Sequence, residues 1–395
     1  MEDFMHPKSE TEIADAVRDA SGPLVVRGGG TRPVGRPVVG EVLDVSGLVG
    51  ISLYEPGALT LVAAAGTPVA EAEAALAVEG QRLPFEPMDH RVLLGTSGVP
   101  TLGGMVAVNA SGPRRLQAGA CRDSLIGVRF IDGTGAVVKN GGRVMKNVTG
   151  YDLAKLMAGS WGTLGVLSEV SFKLLPAPAA EATLVFAGLD AEQAVQVMSK
   201  ALGSPWEVNG AALGVIDAQG RGAVSLRIEG FASSVRYRLG QLEAALSAFG
   251  KPERVEDPQH SAQIWRDIRD VRVFKDHGFV ARLSIKPSNL SGFVAALGTA
   301  YGDHPSQPDL MADWGGGLVW VAADDAAPQD AQSLIEWLQG YATQHGGHAT
   351  LIKAPEALRR AVPSFQPEAA GVAALTKGLR NRFDPRGILN PGLME

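Results

Sequence analysis

The run Leu24-Val25-Val26-Arg27 leads straight into Gly28-Gly29-Gly30, and the residues after it exclude the fold most often built on such a loop. A dinucleotide-binding βαβ unit needs a helix to start inside the glycine loop, so that the helix N-terminus meets the pyrophosphate. Here Thr31-Arg32-Pro33-Val34-Gly35-Arg36-Pro37 follows, and prolines and glycines at that density do not start a helix. Successive glycine N–H groups can still form an anion-binding concavity without one. A tight turn between two strands is the other reading, and the loop alone does not separate them.

The loop is one of several. Of 49 glycines in 395 residues, 26 lie in the first 165, where an average chain carries about 7% throughout. Backbone that must approach something closely is concentrated in the first half. Ser9 and Glu12 have capping-box spacing ahead of a helix. Strands are expected near 23–27, 42–45 and 59–65, with a helix from a Thr67 cap to Gly80. Asp132-Gly133-Thr134-Gly135 predicts a hairpin between 126–131 and 136–139, followed by a helix near 151–157 and a strand over 166–175. Pro176-Ala177-Pro178 marks a composition shift of the kind found between domains. Beyond it, strands are expected at 183–187, 212–217, 224–229, 280–285, 318–323 and 349–353. Helices are expected at 191–202, 235–249, 290–297 and 331–345. Hairpins and helices in that order predict α+β with an antiparallel sheet rather than a parallel α/β sheet.

Charge and cysteine content narrow the function. A net charge of −6 argues against a nucleic-acid partner, which calls for a basic surface. The one cysteine, Cys121, excludes a disulfide framework and a four-thiolate iron–sulfur cluster held by this chain alone. No apolar run approaches the ~20 residues of a membrane span. The N-terminus lacks a basic, apolar leader. The expectation is a cytoplasmic protein, peripheral to a membrane only through a partner.

The glycine loop is followed by Thr101-Leu102-Gly103-Gly104, then Asn109-Ala110-Ser111-Gly112, then Gly162-Thr163-Leu164-Gly165-Val166. Near the C-terminus stands Asn390-Pro391-Gly392. In this order and spacing the set resembles the FAD-binding domain of the vanillyl-alcohol oxidase superfamily, the PCMH-type fold, over residues 5–175 and the last ~15. Gly142–Leu153, Asp313-Trp314-Gly315-Gly316 and His345-Gly346-Gly347-His348-Ala349-Thr350 resemble more closely the small FAD-binding E subunits of bacterial glycolate oxidases.

The resemblance implies a PCMH-type FAD-binding domain of two α+β subdomains over 1–175. It also implies an antiparallel-sheet cap domain over 176–380 and a terminal segment, 381–395, returning to the FAD domain. It assigns Arg27, Gly28, Gly29, Gly30 and Thr31 to the pyrophosphate. Thr101, Leu102, Gly103, Gly104, Asn109, Ser111 and Gly112 form a second wall around the cofactor. Gly162, Gly165 and Val166 line a third side, and Asn390 closes onto the flavin domain. Arg32 stands where covalent-flavin relatives carry a histidine, so the FAD is expected to be non-covalent, with Cys121 a bystander thiol. Lys146 and Tyr151 belong to the flavin wall or to a subunit contact.

Flavin oxidation of an α-hydroxy acid needs a cation for the substrate carboxylate and a base for the hydroxyl proton. His348 is the candidate base, with a structural hydrogen-bonding histidine as the alternative. Arg269, one helical turn from Trp265, is the candidate cation, with a solvated helix neutralised by Asp267 and Asp270 as the alternative. No metal is expected, because glycines break the segment that would aim His345 and His348 together. By resemblance the chain is an FAD-dependent oxidoreductase acting on the CH–OH group of 2-hydroxy acids. It would be a subunit of a glycolate oxidase (glycolate dehydrogenase) complex whose partners are a larger FAD-binding subunit and an iron–sulfur subunit. The alternatives are a stand-alone dehydrogenase of another small 2-hydroxy acid such as D-lactate, and a largely non-catalytic assembly or electron-transfer subunit.

Overall fold

The computed structural model describes residues 4–142, 150–302, 307–324 and 328–395. They divide into two units, one comprising Met1–Gly112, Ala118–Ala177 and Pro367–Glu395, the other Pro113–Gln117 and Pro178–Gln366.

The first unit has two α+β layers. Strands β1 (Phe4–Met5), β2 (Leu24–Arg27) and β3 (Glu41–Asp44) form a small parallel sheet in the order β1-β3-β2. It packs on the helix Glu10–Asp19 through Ile13, Val17, Leu24 and Leu43. Ser9 caps that helix, accepting from the Glu12 N–H at 3.2 Å. The Glu12 carboxylate turns to the Lys8 N–H rather than back to Ser9. Strands β4 (Ile51–Glu55), β5 (Thr60–Ala64), β7 (Leu125–Ile131), β8 (Val137–Gly141) and β9 (Val166–Lys173) form a five-stranded antiparallel sheet in the order β4-β5-β9-β7-β8. Strands β6 (Gln81–Arg82) and β10 (Leu175–Pro176) make a separate pair. The expected hairpin joins β7 to β8, with Asp132 Oδ1 accepting from the Thr134 and Ala136 N–H groups.

The strands of the small sheet are only two to four residues long. One expectation is corrected here. Thr67 does not cap the next helix, Val69–Val78. Its hydroxyl is spent on Gly50, accepting from the amide at 2.9 Å and donating to the carbonyl.

The C-terminal segment closes this unit. Leu389 bridges Leu24 in parallel, and Asn390 N donates to Leu24 O at 3.0 Å. The Arg386 guanidinium donates to the carbonyls of Val17, Arg18, Ala20 and Gly133.

The second unit carries one eight-stranded antiparallel sheet of β11 (Ala180–Asp190), β12 (Gly210–Leu213), β13 (Arg221–Gly230), β14 (Glu253–Val255), β15 (Phe279–Ser284), β16 (Asp309–Asp313), β17 (Leu318–Ala323) and β18 (His348–Lys353). The order is β14-β11-β13-β12-β16-β17-β15-β18. Period-2 alternation sends Leu184, Leu226, Ala281, Val319 and Leu351 into one apolar core. The helices Ala191–Leu202, Ala232–Ala245, Leu290–Tyr301 and Pro328–Gln344 accompany this sheet.

The opposite face is polar. At its β11–β13 end the charges balance: Arg114 forms a two-pronged ion pair with Glu229 and lies 3.6 Å from Glu181. Arg227 donates to Asn209 Oδ1 at 2.9 Å and stacks over Trp265. Buried charges of this kind persist only when paired.

Candidate functional site

In the first unit the end of β2, the helix Leu102–Ala107, the turn around Trp161 and the C-terminal segment enclose a cleft of about 140 Å³. Its walls include Arg27, Gly28, Gly29, Gly30, Thr31, Thr101, Gly103, Gly104, Gly162, Gly165 and Asn390, each anticipated from the sequence. Arg32, Ala65, Val108, Trp161, Leu167 and Leu393 also line it.

The loop geometry has a specific origin. A Cβ on Gly29 would lie 1.6 Å from the Val99 carbonyl oxygen, and one on Gly98 would lie 1.7 Å from the Gly29 carbonyl oxygen. The two loops touch backbone to backbone, so Gly29 serves loop packing as well as ligand approach. The N–H groups of Gly29, Gly30 and Thr31 donate to no group among the described residues. They are donors in reserve for an anion. Thr101 caps the helix Leu102–Ala107, its Oγ accepting from the Gly104 N–H at 3.2 Å.

Arg32 adds a half-buried cation. Its Nε donates to His90 Nδ1 at 3.1 Å and a terminal nitrogen reaches Met88 O at 3.4 Å. Burial, only partly offset by the Asp89 charge, pushes the guanidinium down to about 10. A desolvated cation and unspent amides in one cleft fit a cofactor carrying a pyrophosphate. Arg27 differs, because its guanidinium is spent on Asp44 at 2.8 Å.

Five expected cofactor residues are placed off this cleft. Leu102 and Val166 are buried in the two cores. Asn109 and Ser111 hold the neighbouring loop, Oδ1 accepting from the Arg122 N–H and Oγ from the Cys121 N–H. Gly112 N donates to Phe85 O at 2.9 Å. Cys121 is itself fully buried, and burial pushes its thiol pKa up, away from a reactive thiolate. Tyr151 is exposed; Lys146 lies outside the described residues.

The two catalytic candidates belong to the second unit and have different neighbours. Arg269 ends the helix Pro258–Arg269 and pairs with the Asp270 carboxylate at 2.7 and 2.8 Å. Trp265 is 1% exposed and donates to Thr183 Oγ at 2.8 Å, so it is a core residue rather than a wall of an open site. The chain after Arg269 reaches the Lys353 end of β18, where Lys353 Nζ donates to Lys275 O at 2.7 Å. His348 starts that strand at the other end, roughly 17 Å away at about 3.4 Å per residue. Partial desolvation, then the Arg282 and Arg115 cations, hold its imidazole below the usual histidine range. His345 stacks on Tyr341 and is hydrogen-bonded to its carbonyl. Among the described residues no cluster of three His, Cys, Asp or Glu side chains is arranged to hold a metal ion.

The cleft, its amides and the fold define an FAD-binding protein. A family described as "FAD binding domain" matches residues 3–141. In structure the chain is similar to alkyldihydroxyacetonephosphate synthase, with a TM-score of 0.72 and 17% identity over 98% of this chain and 76% of that one. The chain belongs to the family of the glycolate oxidase subunit GlcE: it is 34% identical to the Escherichia coli (strain K12) protein over 97% of its own length and 95% of the relative's. It is also 31% identical to glycolate oxidase subunit GlcD of Bacillus subtilis (strain 168), over 45% of this chain and 37% of that protein. To a D-lactate dehydrogenase of Anaerostipes hadrus it is 42% identical, over 22% of this chain and 18% of that one.

Proposed function

We propose that this chain is the FAD-binding subunit of a multi-subunit glycolate oxidase, acting in oxidation of glycolate to glyoxylate and in passing the electrons onward. The observation that carries the reading is the near full-length similarity to GlcE, together with a cleft whose unspent amides and half-buried Arg32 suit FAD.

FAD, when bound, supplies the hydride acceptor for the carbinol carbon. Gly29, Gly30 and Thr31 would hold its pyrophosphate through backbone N–H groups, and Arg32 would neutralise anionic charge in the same cleft. Thr101, Gly103, Gly104, Gly162, Gly165 and Asn390 would shape the walls. His348, its imidazole held below the usual histidine range by desolvation and then by its cationic neighbours, would accept the hydroxyl proton at an imidazole nitrogen. Arg269 is already neutralised by Asp270 and serves the helix end better than a substrate.

With a single cysteine, the chain needs another polypeptide for any four-thiolate iron–sulfur cluster. This supports an assembly with a GlcD-like flavin subunit and an iron–sulfur subunit. The local likeness to D-lactate dehydrogenase makes D-lactate the second substrate to test. No described helix is long and apolar enough to cross a membrane, which suits attachment through partners.

The test is purification of the native complex with flavin and iron counted per chain, followed by anaerobic mixing with glycolate or D-lactate. Two flavins, an iron–sulfur partner and glycolate-dependent flavin bleaching are expected. A chain that binds no FAD, or a complex inert to both acids, would overturn the proposal.

A further inference from the structure

On the polar face of the eight-stranded sheet the arginines at one end stand against carboxylates, whereas Arg282, at the other end, has none upon it. At the β11–β13 end, Arg114 and Arg227 face Glu181 and Glu229. At the β15–β18 end, Arg282 stands in the middle of β15, its Cα neighbours being Trp320 on β17 and Thr350 on β18. Its strand neighbours Ala281 and Leu283 enter the core, so Arg282 points to the polar face. Ser284, next on that face, is registered with His348.

Arg282 makes no hydrogen bond and no ion pair among the described residues. Its charged neighbours are cationic: Arg115, whose guanidinium lies 4.4 Å from the centre of the Trp314 ring, and, beyond it, His348. Burial and the Arg115 charge together push the Arg282 guanidinium down to about 10. Asp313, the acid on the same face of the next strand but one, is buried and accepts from the Trp314 N–H at 2.6 Å. A partly buried guanidinium with cations beside it and no carboxylate upon it is unfavourable unless an anion completes it.

We infer that Arg282, with Arg115 and His348, forms a carboxylate-binding subsite on the second unit that takes the carboxylate of a small 2-hydroxy acid. The inference rests on the proposed reaction for the choice of acid, but the anion site stands on its own residues. A planar guanidinium suits a two-oxygen anion, and His348 two residues from the registered position would lie near the hydroxyl of an acid so held. Arg282 thus replaces Arg269 as the cation of the site.

The test uses the full chain loaded with FAD, with wild type compared with Arg282→Met and Arg282→Lys. Titration calorimetry with glycolate, and with sodium sulfate as a general anion, reads binding. Thermal unfolding without ligand reads stability. Glycolate binding is expected to weaken about 10–100-fold in Arg282→Met, the scale of a charge-assisted hydrogen bond, and to recover in part in Arg282→Lys. The ligand-free Met variant should melt at the same temperature as wild type or higher, because an unpaired cation has gone. A Met variant that melts lower and keeps wild-type affinity would overturn the inference, as would sulfate binding as tightly as glycolate. Glycolate binding lost with Arg282, in a complex that never bleaches its flavin, would support the subsite and overturn the reaction. Bleaching with an unchanged KM in Arg282→Met would do the reverse.

Discussion

Asn390 is the side chain through which the C-terminal segment holds the wall of the candidate cleft, and replacing it should cost more than an average surface change. Its Oδ1 accepts from the Val26 N–H at 2.8 Å and its Nδ2 donates to the Trp161 carbonyl at 2.9 Å. The residue is 3% exposed, and its φ is +44°. Asn390→Ala removes both bonds and leaves a buried donor and acceptor on the cleft wall, each worth about 1–3 kcal/mol. Alanine in the left-handed region adds about 1 kcal/mol that asparagine tolerates better. The expected loss is about 3–7 kcal/mol by these values, or roughly 6–28 °C in melting temperature for a unit of this size. Asn390→Gly should recover about 1 kcal/mol through its free φ.

Asn390→Asp keeps the acceptor for Val26 but sets an oxygen against the Trp161 carbonyl. It should be destabilised at pH 8 and approach wild type as the acid protonates and regains a donor. Urea unfolding followed by tryptophan fluorescence, with released FAD read by its own emission, measures all three variants. An Ala variant within about 1 kcal/mol of wild type would refute the reasoning, since two lost bonds should exceed that, and so would an Asp variant equal to wild type at pH 8.

Four other outcomes are expected. Gly29→Ala should lose FAD binding by at least tenfold in equilibrium dialysis, because its methyl group meets the Val99 carbonyl and not a movable side chain. Arg32→Met should bind FAD more weakly while the FAD-free protein melts no lower, since the half-buried cation would no longer need an anion. The Glu10 carboxylate is held below its usual range by its hydrogen bonds to Arg129 and Ser168, against the opposing effect of burial. A depressed folded pKa gives stability present above the unfolded value and lost as pH falls through the folded one. Glu10→Gln should therefore be less stable than wild type at pH 7 and nearly equal to it at pH 3, read by urea midpoints. If His348 is the base, kcat/KM should rise with pH through an inflection below the usual histidine pKa, and Arg282→Met should move that inflection upward.

Much of the lining of the candidate cleft was legible because its constraints are local. Three glycines after a strand, prolines where a helix would start, and a threonine at a helix cap are each decided within a few residues. What escaped was decided by distant partners. Nothing near Gly29 in sequence reveals that Val99 lies against it, nor that Asn109 Oδ1 and Ser111 Oγ accept from the Arg122 and Cys121 amides. Trp265 and Arg269 share a helical turn, yet one is core and the other is neutralised by its own neighbour. Arg282 did leave a sign: a lone arginine in the alternating run Val280-Ala281-Arg282-Leu283-Ser284. Its want of a counter-charge appears only once the strands are laid side by side.

The closure of β2 by the C-terminal segment also sets a timetable. Val26 and Asn390 are 364 residues apart, and the ribosome adds about 5–20 residues per second. The amide of Val26 therefore waits roughly 18–70 s for its partner at that speed. The whole of β11 to β18 is made in that interval and can settle first. The glycine loop emerges early, but the wall of the cleft that carries Asn390 follows only after the second unit has been made. A chain truncated before residue 390 lacks that wall and is expected to leave the ribosome colourless even with its second unit folded.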